Sequence, residues 1–453
     1  MQKEIFELVE GKKYARLREL LSDMNPADIA QILEDVPERE LPVIFRILPK
    51  ELAAEVFVEM DSEMQQLLIE AFSDTELKEV MDELFMDDTV DIIDEMPASV
   101  AKRILSQTDA NTRTMINQLL AYPDDSAGSI MTTEYVDLKK NMTVDTAFDR
   151  IRQVGLDTEA IYTCYVIDES RHLLGLVTVK ELLLNEKNCV ISDIMEENII
   201  YANTLDDKED VAGQFEKYDL MALPVVDKEN RLVGVVTVDD AIDVIQEEAT
   251  EDIEKMAAIL PSDKTYFRSS VLSIFKSRIS WLLLLMISAT FTGSIISSYE
   301  EKLTIFPALI AFIPMLMDTG GNSGSQSSVT IIRGISLGDI EFGDIFRVLW
   351  KEARVALCCS VTLAAVNFVK LWVVDYLIFN NFDPGKQLPE IGVVCLTLFF
   401  TVIVAKLIGC VLPILAKKIG FDPAVMASPF ITTIVDAVSL FIYFSIASAV
   451  LGV

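Results

Sequence analysis

The chain has one histidine, His172, and its six cysteines (Cys164, Cys189, Cys358, Cys359, Cys395, Cys410) form no Cys-x-x-Cys pair. That leaves little from which to build a zinc site of the usual kind, and no disulfide framework. Four of the cysteines fall in the apolar second half and read as small fillers. Basic residues are also scarce: 38 lysines and arginines face 71 acidic residues, a net charge of −33. This argues against nucleic acid as a partner. It points to bound cations, or to a self-repulsion that something must relieve, although a merely soluble acidic surface is the plainer alternative. The opening Met1-Gln2-Lys3-Glu4 carries no apolar run, so no signal peptide is expected and the soluble part is expected to stay cytosolic.

What is present is unevenly placed. Length alone suggests roughly three domains. Residues 1–275 hold 59 of the acidic residues and 26 of the basic ones, whereas 276–453 hold 12 of each. The first part reads as an acidic soluble region and the second as a neutral membrane region. Apolar stretches near 279–299, 303–332, 350–378, 389–415 and 424–452 are long enough to cross a bilayer. Lys276, Arg278, Arg333, Arg347, Lys351, Arg354, Lys417 and Lys418 flank them on one side, with only Lys302 and Lys386 on the other. The basic bias places the N-terminus inside and the C-terminus outside.

Two of these stretches are unusual. The last opens with Asp422-Pro423 and continues through Ser428, Thr432 and Asp436, spaced by four and so on one helical face. A carboxylate at membrane depth is costly and normally faces a pore, a cavity or a partner charge. The stripe is all oxygen, which suits a hard, hydrated cation. A buried aspartate satisfied by a neighbouring helix is the plain alternative. Pro429 cannot donate a backbone bond and is expected to free a carbonyl in the first turns. The second stretch, Pro314 to Ser328, carries Asp318, Asn322 and Gln326, again four apart, among glycines and serines. Small residues let helices approach closely, but do not account for those three polar side chains. Lys370 and Lys406 are further charges at this depth, able to pair with a carboxylate or to snorkel.

The soluble half has its own organisation. Residues 1–127 read as short helices punctuated every dozen residues or so, with N-cap signals such as Ser73-Asp74-Thr75-Glu76. Repeated units of this kind stack into a helical superhelix. Residues 128–249 hold an internal repeat. Tyr165-Val166-Ile167-Asp168 followed by Leu174-Gly175-Leu176-Val177-Thr178-Val179 recurs as Pro224-Val225-Val226-Asp227 followed by Val233-Gly234-Val235-Val236-Thr237-Val238. The pattern is strand, turn, strand, helix. It resembles a tandem cystathionine-β-synthase (CBS) pair, an adenine-nucleotide-sensing module, and leaves ATP binding open beside a purely dimerising role. Residues 250–278 then read as a helix connecting the sensor to the membrane.

Taken in order, the whole chain resembles the MgtE family of magnesium channels, most specifically over Pro314–Gln326 and Asp422–Asp436. The resemblance implies a multidomain α plus α/β protein: an acidic superhelical N-domain (1–127), a CBS pair (128–249), a connecting or plug helix (250–278) and a five-helix transmembrane domain (279–453). It implies a homodimer in the cytoplasmic membrane, with the pore on the two-fold axis, and no enzyme. Asp436 would hold hydrated Mg2+, with Thr432 and Ser428 nearby and Asp422 at the cytoplasmic entrance. Sensor carboxylates would fall on Asp207, Glu209, Asp219, Asp240, Asp243, Glu248, Glu251 and Asp252, with Asp88 and Asp91 the nearest N-domain candidates. Glu216 departs from the family pattern, where relatives can carry a small residue, and would add acidity to the sensor. Competing readings are a cation transporter coupled to protons or sodium, an intramembrane aspartyl hydrolase using Asp318 and Asp436, and a membrane-tethered sensor without flux.

Overall fold

The computed structural model describes residues 2–155, 158–262, 266, 269–299, 307–373, 384–426 and 428–451. They form two compact units, Met1–Ile245 and Gln246–Val453.

The first unit opens with short helices from Gln2–Glu10 to Ala110–Leu119. Their starts are set by side chains that take up otherwise orphaned amides: Asn25 accepts from Ala27, Asp61 from Met64, and Ser73 forms a full capping box with Glu76. Each such cap contributes about 1 kcal/mol. Apolar residues recur at three and four, as in Ile29, Ile32 and Leu33, and are buried. Each helix from Pro26–Glu34 onward packs on the helix two along the chain. Two arginines tie successive helices together. Arg46 grips Glu76 and the Ala71 carbonyl, and Arg103 grips Asp74 and the carbonyls of Ile69 and Phe72. They satisfy carbonyls at the end of the helix Ser62–Ala71, which has no partners of its own for them.

The repeat folds twice into the same small sheet. Strands β1 (Tyr135–Lys139), β2 (Ala160–Ile167) and β3 (Leu173–Thr178) form one; β4 (Ala202–Asn203), β5 (Ala222–Val226) and β6 (Leu232–Thr237) form the other. In each, the first pair is parallel and the second antiparallel. The turns are made alike. Asp168 accepts from Ser170 and His172 amides, Asp227 from Glu229 and Arg231 amides, and the third residue after each aspartate, Arg171 or Asn230, is left-handed. The copies also exchange edges: Thr132 pairs with Val235 of β6, and Glu196 with Leu176 of β3. Neither sheet is therefore complete without the other copy.

In the second unit, long helices dominate. The helix α1 (Val238–Met256) begins directly after β6 in the first unit and runs into the second, so the last helix of the repeat continues into the connecting segment as far as Met256. Then come α2 (Val271–Ser298), α3 (Ile313–Ser336), α4 (Ile345–Val373), α5 (Pro384–Lys418) and α6 (Ser428–Leu451). Among the described residues, four helical segments are long and apolar enough to cross a membrane: Val271–Ser298, Phe342–Val373, Leu388–Lys418 and Pro423–Leu451. The helix α3 falls short, because its aspartate, asparagine, glutamine, serines and glycines dilute its apolar content. It also starts later than the 303–332 stretch suggests. Pro314 sits in its first turn, where the missing N–H costs nothing, and Pro307–Phe312 is a separate 3-10 turn. Residues 374–378 of the third expected span lie outside the described residues.

Packing in this unit is organised around α3. Its small-residue face is buried against α5 and α6. A Cβ on Gly320 would press on Thr401 and Ser439, one on Gly321 on Thr432, and one on Gly409 on the backbone of Gly324. Backbones meet here at a distance only glycine permits. At one end Tyr443 is fully buried and donates to the Leu309 carbonyl at 2.9 Å.

Candidate ion path and acidic cluster

The polar residues of α3 divide by face. Gly320, Gly321, Gly324, Ser327 and Ser328 are buried, whereas Asp318, Asn322 and Gln326 share the opposite side. These three, with Thr319, Ser323, Cys358, Cys359, Thr362, Leu363 and Lys406, line an open cavity of about 530 Å³ between α3, α4 and α5. The spacing of four thus brings the expected stripe onto one surface. Asp318 also lies within electrostatic reach of Asp436 on α6. Among the described residues neither carboxylate has a basic partner. Lys406, 5% exposed, instead donates to Ser327 at 3.3 Å, and Ser327 donates to Glu352 at 3.0 Å. Lys370 lies 3.4 Å from the Met315 sulfur. Neither lysine neutralises the aspartates.

The approach to Asp436 is built around proline. Thr432 and Thr433 both donate their hydroxyls to the Pro429 carbonyl, at 2.9 and 3.0 Å. The Pro429 carbonyl thus accepts two hydroxyl protons, and the Thr432 oxygen keeps its lone pairs. Ser428 begins α6, but its side chain lies outside the described residues. Asp422 caps the turn Pro423–Met426, accepting from the Ala424 amide at 2.7 Å. Its other oxygen meets Lys255 at 2.6 Å, and Lys255 also meets Glu251 at 2.6 Å. Asp252 accepts from Ser336 at 3.4 Å, and its carboxyl is pushed up by burial and then by the Asp422 charge.

A separate cluster lies in the first unit. Carboxylate oxygens of Asp87, Glu159 and Asp240 fall within 4.8 Å of one another. Asp87 is 5% exposed, and Asp87 Oδ1 and Glu159 Oε2 are buried without a hydrogen-bond partner. Thr237 donates to Asp240 at 2.6 Å. Burial and then the Asp87 charge push Asp240 up to about 8, and burial with Asp87 and Asp91 pushes Asp88 up to about 7. Burial comes first for the other two as well: it raises Asp87 against the pull of its hydrogen bond with Glu159, and it raises Glu159 together with the Asp87 and Asp240 charges. Among the described residues no lysine or arginine pairs with the three. An all-oxygen, acid-only group with orphaned atoms fits a hard divalent cation.

Asp88 thus flanks the cluster, whereas Asp91 is exposed beside it. Asp207 caps the helix Lys208–Tyr218 by accepting from the Glu209 amide, and Asp219 ends it in a left-handed conformation. Glu209, Glu216 and Asp243 are exposed and Glu248 half-exposed on their helices.

Comparison with known proteins gives the family. A family model described as divalent cation transporter (MgtE) matches residues 313–446, one for the MgtE intracellular N domain matches 24–125, and CBS domain models match 127–187 and 191–247. The magnesium transporter MgtE of Thermus thermophilus is 35% identical over 448 residues, 98% of this chain and 97% of its own. The Bacillus subtilis magnesium transporter MgtE is 34% identical over 446 residues, covering 98% and 95%. The chain belongs to the MgtE family. A crystal structure of the cytosolic domain of the Mg2+ channel MgtE in complex with ATP superposes with a TM-score of 0.52 at 33% identity, over 54% of this chain and all of that one. Asp87, Glu159 and Lys255, which the structure brings into these groups, carry no signal of their own in the sequence. Asp87 lies in the acidic run Asp87, Asp88, Asp91, Asp94 and Glu95, a pattern that in sequence reads as a solvated helix face. Glu159 stands alone before a strand, and Lys255 is one lysine in a charged helix.

Proposed function

We propose that this chain is a magnesium-selective channel that takes up Mg2+ across the cytoplasmic membrane. It works as a homodimer, with the N-terminus cytoplasmic and the C-terminus outside. The observation that carries the reading is the pair of membrane carboxylates, Asp318 and Asp436, on adjacent helices without a basic partner. Mg2+ surrenders its water reluctantly, so carboxylates, amides and hydroxyls that accept from bound water suit it better than a cage of direct ligands. In this reading α3 spans the membrane as the fifth helix despite its polarity, because its polar face borders the water path. The domains divide near 1–127, 128–249, 250–278 and 279–453, and the N-terminal helices wind as a superhelix.

Gating follows from the acidic groups. Asp87, Glu159 and Asp240, with Asp88 and Asp91 beside them, would hold regulatory Mg2+ when its cytosolic level is high. Asp207, Glu209, Glu216, Asp219, Asp243, Glu248, Glu251 and Asp252 extend that acidic surface. An ion that binds the closed arrangement more tightly shifts the population toward it, by no more than that difference in affinity. The ATP in the related cytosolic domain supports a nucleotide at the CBS pair of this chain too; calorimetry with ATP tests that point separately. The relatives are magnesium transporters, so an intramembrane hydrolase has no support.

Purified protein in liposomes, with a magnesium-sensitive dye inside, tests the conclusion. Uptake down the Mg2+ gradient alone is expected. Uptake that requires an imposed proton or sodium gradient would show a coupled transporter instead.

A further inference from the structure

Three carboxylates converge where α1 ends. Lys255 Nζ lies 2.6 Å from Glu251, one turn earlier on the same helix, and 2.6 Å from Asp422, which heads the turn into α6. Asp252 stands close enough to be raised by the Asp422 charge, and is tied to the end of α3 through Ser336. Met256 packs on Ile332 of α3 and on Ala424. The end of α1 is thus seated on the ends of two membrane helices by one ammonium and one apolar contact. Burial disfavours the charged ammonium, but its hydrogen bonds to Asp422 and Glu251 outweigh this and hold Lys255 protonated.

We propose that Lys255 is a tethered cation and a positioning residue for gating. Its ammonium occupies Asp422 and Glu251 and holds the connecting helix near the pore entrance, only partly seated, when no divalent cation is present. Three carboxylates against one ammonium leave two negative charges, which is what one divalent cation neutralises. Lys255 therefore supplies part of the seat permanently and leaves the rest to the ion. This rests on the channel reading above, since the seat matters to flux only if α1 gates a pore. Lysine suits the role as a compact point charge on a flexible stem with three donors. The two contacts are charge-assisted and about a quarter exposed at the lysine, so they are stronger than a surface pair and still sensitive to salt.

The test uses the full-length protein in liposomes. Met256→Cys with Ala424→Cys gives a cross-link identified by mass spectrometry of the joined peptide, which separates it from the native thiols. In EDTA the wild-type lysine should support rapid cross-linking, and Lys255→Met should slow it about fivefold, the size expected for loss of one such ion pair. Added Mg2+ should restore the rate, and Lys255→Arg should keep most of it in EDTA. With Mg2+ outside and EDTA on the cytoplasmic face, Mg2+ flux should rise about as much in Lys255→Met as cross-linking falls. Cross-linking of Lys255→Met in EDTA equal to wild type would overturn the proposal. A protein that carries no Mg2+ flux, yet loses cross-linking with Lys255, would keep the seat and remove the channel reading.

Discussion

The molecule holds two groups of three carboxylates, and they solve the same electrostatic problem differently. Asp87, Glu159 and Asp240 in the first unit are crowded without a basic partner among the described residues; burial raises all three, and neighbouring carboxylate charges add to the rise of Glu159 and Asp240. Glu251, Asp252 and Asp422 in the second are crowded around Lys255. A group without a resident cation must take protons or a metal from solution, so its state reports what the solution contains. A group with one is partly satisfied at all times. On the proposed reading, the comparison separates a sensor from a seat, although both are built from the same side chains.

The largest expected effect lies outside both groups. Asp436→Ala should cut Mg2+ flux in liposomes by more than about tenfold, equivalent to ~1.4 kcal/mol of added barrier, with the elution volume unchanged. Flux near wild type would mean that the ions pass elsewhere and that the acidic groups control some other process. Next comes packing. Gly409→Ala should cost about 1–3 kcal/mol by overpacking, seen as earlier thermal aggregation in detergent, while Gly293→Ala on α2, where nothing lies near, should be neutral.

The acid-only group should show the stronger pH dependence. Its folded-state values lie above the unfolded carboxylate range near 4, so the folded protein binds more protons in that interval. Stability without divalent cations should therefore fall as pH rises from about 4 to 8, by about 1–3 kcal/mol. Mg2+ should flatten the slope, and so should Asp240→Asn, which also should raise the Mg2+ concentration that closes the channel. An unchanged slope in Asp240→Asn would put the sensor elsewhere. The smallest effect concerns Glu76, which hydrogen bonds with Arg46 and then the Ser73 amide lower to about 2. Its contribution is present above the ordinary glutamate range and lost as pH falls toward 2. Because the pair is exposed, Glu76→Gln should cost less than about 1 kcal/mol in a denaturant titration.

Periodicity and spacing carried much of this architecture. The CBS turns were legible because Asp168 and Asp227 head identical loops, and the Asp318–Asn322–Gln326 stripe because residues four apart share a face of any helix. The polarity of α3 was legible too, and with it the low mean hydropathy that sets this helix below the apolar ones, since both are matters of composition. Glu159 and Asp87 were not legible as partners. They are 72 positions apart in sequence, and only tertiary folding sets one against the other. The fate of Lys406 was equally hidden, because its partner Ser327 looked like a packing residue among glycines.

The close approach of Gly409 to the Gly324 backbone has a genetic consequence. Every single-base missense change of a glycine codon introduces a side chain bearing a Cβ. Wherever two backbones touch, no first step is neutral, and no gradual series of larger residues leads away from glycine. Drift at Gly409 must wait for a compensating shift of α3, so the contact should persist as an isolated fixed point while the apolar surfaces around it exchange leucine, isoleucine and valine freely.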